Sequence, residues 1–197
     1  MTSLQLFRDL FSAEALRPEE QISVGRVVVL FTDLVGSTRL YREIGDAPAF
    51  GRVMSHFDVL KDKIALHGGA IVKTMGDAVL AVFTSPLPAL EAMLEAQVEL
   101  ARADPPLLLK AGLHLGPCIA VTLNDRLDYF GTTVNFAARL AHAAQGAEVV
   151  LSDPAHRDPQ VTAWLHNPPP GVVLEEHQAE LKGFEEDMSK LWRVNRR

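Results

Sequence analysis

Two apolar runs in this chain each meet an aspartate at a glycine-containing bend. Val27 to Phe31, inside VVVLFTDLVGST, leads to Asp33, and Lys73-Thr74-Met75-Gly76-Asp77 opens onto the second run, Ala78 to Phe83. Runs this short, the first carrying three valines, read as buried strands. Two strands that each carry a carboxylate at one end restrict the fold to a sheet with an acidic edge or tip. Such a pair suits Mg2+ or Mn2+, hard ions that take oxygen ligands and leave positions for phosphate oxygens and water. The competing reading is that both aspartates cap turns, as strand-end aspartates commonly do.

Around these runs the chain punctuates itself with glycine and proline. Leu4, Phe7, Leu10 and Phe11 fall at near-helical spacing, and residues 1–24 read as a helical extension or linker ahead of a main domain over 25–197. Gly36-Ser37-Thr38 turns the chain into a short helix through Leu40, Tyr41 and Ile44, broken by Gly45-Asp46-Ala47-Pro48. Phe50, Val53, Phe57, Leu60 and Ile64 predict a helix over 49–66, and a second follows over 87–102. Strands are predicted at 70–74, 78–83, 107–115 and 118–123, the last two as a hairpin about Gly116-Pro117. A helix over 132–144, a strand at 147–151 and strand candidates at 172–175, 179–182 and 190–194 complete the pattern. This order predicts an α+β sandwich with helices on one face of a mostly antiparallel sheet.

At 197 residues, with 48% hydrophobic and 22% charged residues, the chain suits one domain with its own core. A net charge of −6, from 19 basic and 25 acidic residues, argues against nucleic acid or an anionic membrane as partner. It does not oppose a nucleotide, whose phosphates a metal and a few local cations can neutralise. The single cysteine, Cys118, excludes an intrachain disulfide and fits a buried thiol in a reducing, cytoplasmic setting. No apolar run approaches the ~20 residues that cross a bilayer, so no direct membrane insertion is expected.

Leu34, Gly36, Ser37 and Thr38 follow Asp33 closely enough for main-chain groups there to meet phosphate oxygens, with Leu34 also beside the metal position. An ordinary N-cap is the alternative for Ser37 or Thr38. Asn135 and Arg139 stand four apart on the predicted 132–144 helix, so both project from one face. Together they suit a ribose oxygen and charge developing on phosphate, or else a simple surface pair. Lys73 and Asp128 offer a donor and an acceptor to a purine edge, or a salt bridge to one another. His56 and His67 have no evident ligand set, His114 fits a strand surface, and Trp164 and Trp192 read as packing residues.

Taken together, FTDLVGST at 31–38, KTMGDAVLAVF at 73–83, GLHLGP at 112–117 and LDYFGTTVNFAARL at 127–140 resemble the class III adenylate/guanylate cyclase catalytic domain. The resemblance spans approximately Arg26 to Asn195. It implies a ferredoxin-like βαββαβ core with additional C-terminal strands, and a head-to-tail homodimer with composite active sites at its interface. It further implies Asp33 and Asp77 as metal ligands for two Mg2+ or Mn2+ ions per site, with Lys73 and Asp128 recognising adenine. Guanylate cyclases usually carry Glu and Cys at those two positions. Asn135 would orient ribose, and Arg139 would stabilise the transition state. One departure stands out: where many relatives have a phosphate-contacting lysine in Lys-Gly-Lys-Gly, this chain reads Leu181-Lys182-Gly183-Phe184, leaving Lys182 either to compensate or to serve as a strand residue.

These implications predict conversion of ATP to 3′,5′-cyclic AMP and pyrophosphate. The alternatives are an inactive nucleotide-binding or dimerisation module, and another metal-dependent phosphotransfer enzyme on a similar core. An N-terminal regulatory domain in a longer native protein is also expected.

Overall fold

The computed structural model describes residues 22–123, 126–181, 183–184 and 189–196. The expected N-terminal helix and Lys182 lie outside these residues.

Eight strands among the described residues form one sheet: β1 (Ile22–Leu34), β2 (Ala70–Met75), β3 (Ala78–Phe83), β4 (Leu109–Leu123), β5 (Arg126–Phe130), β6 (Val149–Ser152), β7 (Val172–Ala179) and β8 (Ser189–Arg196). Their order is β2-β3-β1-β4-β6-β8-β7, with β5 paired to β4, and only β4 and β6 run parallel. Six helices among the described residues join them: α1 (Ser37–Ile44), α2 (Asp46–Leu66), α3 (Pro86–Ala101), α4 (Thr132–Ala143), α5 (Asp153–His156) and α6 (Pro159–His166).

Strand alternation divides the apolar residues between two faces. Val28, Leu30 and Leu34 of β1, with Val79, Ala81 and Phe83 of β3, meet Leu60 and Ile64 of α2 and Leu90 and Met93 of α3. Leu30, Leu60, Leu90 and Leu113 are fully buried, each worth about 1.5–3 kcal/mol by removal from water. The intervening residues Val27, Val29, Leu80 and Val82 face the other way and are covered by Val134 and Ala137 of α4 and by Tyr129 of β5. Helices therefore occupy both faces, not one: α4 carries its own apolar stripe and closes the second.

Two other expectations change. Gly116-Pro117 does not turn the chain, because β4 runs unbroken through it. Pro117 pairs with Arg26 beside a register shift at Gly25, where the ladder is already interrupted and a missing N–H costs little. The separate strand expected at 179–182 does not form over its described residues: β7 ends at Ala179, and Leu181 turns into the core under α4. The short α5 and α6 were not anticipated. Each buries a single residue, Ala155 and Val161, too few to show helical periodicity, although Asp158 caps α6 at the amides of Gln160 and Val161.

The seating of α4 explains the glycines of GLHLGP. Gly112 and Gly116 lie four apart on β4 and so share its α4-facing side. A Cβ on Gly112 would fall inside the carbonyl oxygen of Ala137 and the amide nitrogen of Ala141, and 2.7 Å from Cβ of Leu140. One on Gly116 would stand 2.6 Å from Oγ1 of Thr133. Thr133 donates its hydroxyl to the Pro117 carbonyl, fixing the first turn of α4 against the strand.

Candidate active site

Asp33 is the penultimate residue of β1, beside the β2–β3 hairpin. The register sets Thr32 opposite Val79, so one step further brings Asp33 level with Ala78 and the Asp77 bend alongside. Gly76, at φ 64°, supplies the left-handed residue this two-residue connection requires. On its other flank Asp33 is paired directly with Lys110 of β4, whose Nζ lies 3.0 Å from Asp33 Oδ2. Asp77 differs: its Oδ2 is buried and has no hydrogen-bond partner.

A buried carboxylate oxygen without a partner is costly in a protein interior, and a divalent cation is the group that would satisfy it. The donors are hard oxygens, which fits Mg2+ or Mn2+. No cluster of three or more His, Cys, Asp or Glu among the described residues could hold an ion unaided, so the remaining ligands would come from phosphate, water or main chain. The Leu34 side chain is buried in the core, which leaves only its main chain to face an ion.

His56 of α2 lies beneath this pair, fully buried, with Nδ1–H donating to the Val53 carbonyl at 2.7 Å. Burial pushes its imidazole below the ordinary histidine range, while the Val53 carbonyl and the charges of Asp77 and Asp33 pull the other way. Sequence reasoning gave His56 no ligand set and missed Lys110. A lysine inside the apolar run LLLKAGLHL was the available signal, since a charge at a half-buried strand position needs a partner.

Gly36, at φ 71°, is the N-cap of α1, and no side chain caps this helix. The N-cap alternative for Ser37 and Thr38 is therefore not realised. The Gly36 carbonyl accepts from the amides of Arg39 and Leu40, while those of Ser37 and Thr38 belong to the first turn, where helical amides lack intrahelical acceptors. A cavity of about 280 Å³ opens here, bounded by Gly36, Ser37, Leu40, Pro105 and Leu107.

Lys73 and Asp128 do come together: Nζ of Lys73 lies 2.5 Å from Oδ2 of Asp128. This joins β2, at the sheet edge, to β5, which projects from the far half of β4. Tyr129 N donates to Asp128 Oδ1 at 2.8 Å, fixing the carboxylate, and the Lys73 ammonium sits 5.6 Å above the Phe130 ring. Both members of the pair remain accessible enough to meet a ligand, at 38% and 19% side-chain exposure.

Asn135 is exposed and Arg139 half-buried on α4, one helical turn apart. Phe136 turns inward, 4.6 Å from the His114 ring and 4.9 Å from the Phe184 ring, the latter edge-on at 84°. Phe184 thus supports α4 from below. His114 is not a surface residue as expected: Nδ1 lies 2.8 Å from the hydroxyl of the buried Ser152, and burial, with Arg26 nearby, pushes its pKa down to about 4. Arg193 of β8 donates to the Ala143 carbonyl at the end of α4. Cys118, Trp164 and Trp192 pack as expected, Cys118 and Trp192 buried and Trp164 against the core. Among the described residues, no side-chain hydrogen bond or ion pair links the Asp33/Asp77 pair, the Lys73/Asp128 pair and the Asn135/Arg139 pair to one another.

The family model for the adenylate and guanylate cyclase catalytic domain matches residues 19–162. The chain belongs to this family. It is 32% identical over 162 residues to an adenylate cyclase of Lachancea kluyveri, covering 70% of this chain and 9% of that protein. It is 35% identical over 139 residues to an adenylate cyclase of Streptomyces coelicolor, covering 70% of this chain and 35% of that one. The chain therefore spans a minor part of both relatives. Its fold matches the guanylate cyclase domain of RhGC from Catenaria anguillulae, solved in complex with GTP, with TM-score 0.73 and 20% identity over 89% of this chain and 99% of that one. No helix among the described residues is long and apolar enough to cross a membrane.

Proposed function

We propose that this domain is an adenylate cyclase that converts ATP to 3′,5′-cyclic AMP and pyrophosphate as a head-to-tail homodimer. The observation that carries the reading is the Lys73–Asp128 pair, a donor and an acceptor held side by side between β2 and β5. Adenine offers the matching acceptor at N1 and donor at N6. The Glu and Cys usual in guanylate cyclases are absent from these positions.

Asp33 and Asp77 would hold two Mg2+ or Mn2+ ions, with the Leu34 main chain beside them. Such ions, when bound, supply Lewis acidity toward the ribose 3′-hydroxyl and the phosphates. The first-turn groups of Gly36, Ser37 and Thr38, and the ammonium of Lys182, would receive phosphate oxygens. Asn135 would orient the ribose so that O3′ stands in line with the α-phosphorus. The new bond joins O3′ to that phosphorus, the bond to pyrophosphate breaks, and the hydroxyl proton passes to solvent. Arg139, which has no ion pair among the described residues, would stabilise charge on the α-phosphate and leaving oxygen.

Among the described residues no side-chain hydrogen bond or ion pair joins the three pairs, which fits a composite site. One subunit would supply Asp33 and Asp77, and its partner Lys73, Asp128, Asn135 and Arg139. The minor share of its relatives that the chain spans fits a catalytic module governed by a regulatory domain N-terminal to it. Its use of ATP fits a cytoplasmic setting.

The test is incubation of purified protein with Mn2+ and each nucleoside triphosphate in turn, with products identified by mass spectrometry. Cyclic AMP from ATP, with a rate per subunit that rises with protein concentration, is expected. Pyrophosphate without cyclic nucleotide, or nucleotide binding without turnover at any concentration, would refute it. Faster cyclisation of GTP would reassign Lys73 and Asp128.

A further inference from the structure

We propose that Lys110 is a resident counter-cation of Asp33 that makes metal loading conditional on nucleotide. The inference rests on the reading of Asp33 and Asp77 as the metal pair and concerns how that pair is governed.

Lys110 stands directly opposite Asp33 in the β1–β4 register, with its ammonium 3.0 Å from Oδ2. The alternation of β4 fixes this orientation. Leu109 and Ala111 enter the core on one side, so Lys110 shares the opposite side with Gly112, His114 and Gly116. The lysine and aspartate side chains are only 19% and 25% exposed. Charges at this depth interact more strongly than on an open surface.

The consequence is an asymmetric pair of carboxylates. Asp33 is compensated before any ion arrives, whereas Asp77 Oδ2 has no partner. A dication approaching Asp33 must displace the ammonium or bind against its repulsion, so the nucleotide-free domain holds metal weakly. A triphosphate changes this balance by offering its own anionic oxygens to Lys110. The ammonium can then leave Asp33, and both carboxylates become available at once. By linkage, metal favours nucleotide to the same degree that nucleotide favours metal. An empty subunit is thereby kept from loading with metal ahead of its substrate.

The test measures Mn2+ binding by the loss of its free electron paramagnetic resonance signal, without turnover. Wild type, K110M and K110R are titrated alone and with 3′-deoxy-ATP, which lacks the reacting hydroxyl, after subtraction of the nucleotide's own Mn2+ binding. K110M should bind Mn2+ about 10-fold tighter than wild type without nucleotide, and the further tightening caused by 3′-deoxy-ATP should shrink, a change typical of coupled sites. K110R keeps the charge and should follow wild type. Equal or weaker Mn2+ binding by nucleotide-free K110M, or undiminished coupling, would overturn the proposal. Thermal melts establish that K110M is folded, and if it is not, K110Q replaces it under the same criteria. Absence of cyclic AMP from wild type would instead count against the cyclase reading, because these titrations require no catalysis.

Discussion

Gly112 of β4 lies directly beneath Ala137 of α4, so closely that the helix backbone rests on the strand with no room for a side chain. The obstructing atoms are main-chain atoms that cannot rotate away. G112A should therefore lift or tilt α4, costing about 1–3 kcal/mol in stability. Asn135 and Arg139 would move with the helix, and cyclisation should fall by about 100-fold, the scale of an ångström-sized misplacement. Denaturant unfolding and steady-state rates measure the two effects separately.

Asp77 carries a partnerless buried oxygen, a burden on the metal-free fold. D77N removes the ionised group while keeping its shape. The melting temperature without metal should stay level or rise, while cyclisation drops by at least about 100-fold. Mn2+ together with nucleotide should raise the wild-type melting temperature and leave that of D77N unchanged. A variant that melts lower and keeps its activity would show that Asp77 is a structural turn residue.

Phe184 stands where the resemblance leads one to expect a phosphate-contacting lysine, and its ring packs edge-on against Phe136. F184A should cost about 2 kcal/mol through lost packing and aromatic geometry. Because Phe136 adjoins Asn135, kcat should fall with little change in KM for ATP. F184L should restore most of that loss. F184K should not lower KM, because the ring direction aims the new ammonium at Phe136.

His114 bears on pH dependence. Burial and Arg26 hold its folded pKa near 4, below the ordinary value of 6.5. The unfolded chain therefore binds more protons between these limits, and stability falls as pH drops from about 6.5 to 4, by at most about 1.4 kcal/mol per pH unit for one site. Above 6.5 this contribution is fully present. H114Q, which can still bond Ser152, should flatten that part of the stability profile. Urea titrations of both proteins at several pH values give the difference.

Much of the secondary structure was legible in the chain itself because its signals are local. The apolar run before Asp33, the helical periodicity of 49–66 and the break at Gly45 each declare themselves within one short window, although the helix already begins at Asp46, inside the break expected over Gly45 to Pro48. The residue types proposed for the site were visible too, since Lys73 and Asp128, or Asn135 and Arg139, sit inside recognisable ordered motifs. Pro117 misled for the same reason: a glycine–proline step signals a turn locally, and only a strand partner with a register shift at Gly25 lets β4 continue through it.

The remaining features depend on residues far apart in the chain. Lys110 meets Asp33 because β4 lies antiparallel to β1 in one register, and a shift of one residue would send that ammonium to the opposite face. Lys73 reaches Asp128 across 55 positions, and Phe184 finds Phe136 only once β8 has returned beside β6. Periodicity tells a segment what shape to take. Which neighbours it then meets is settled by strand register and by how closely a helix can approach a strand, and neither is encoded in any short stretch of residues.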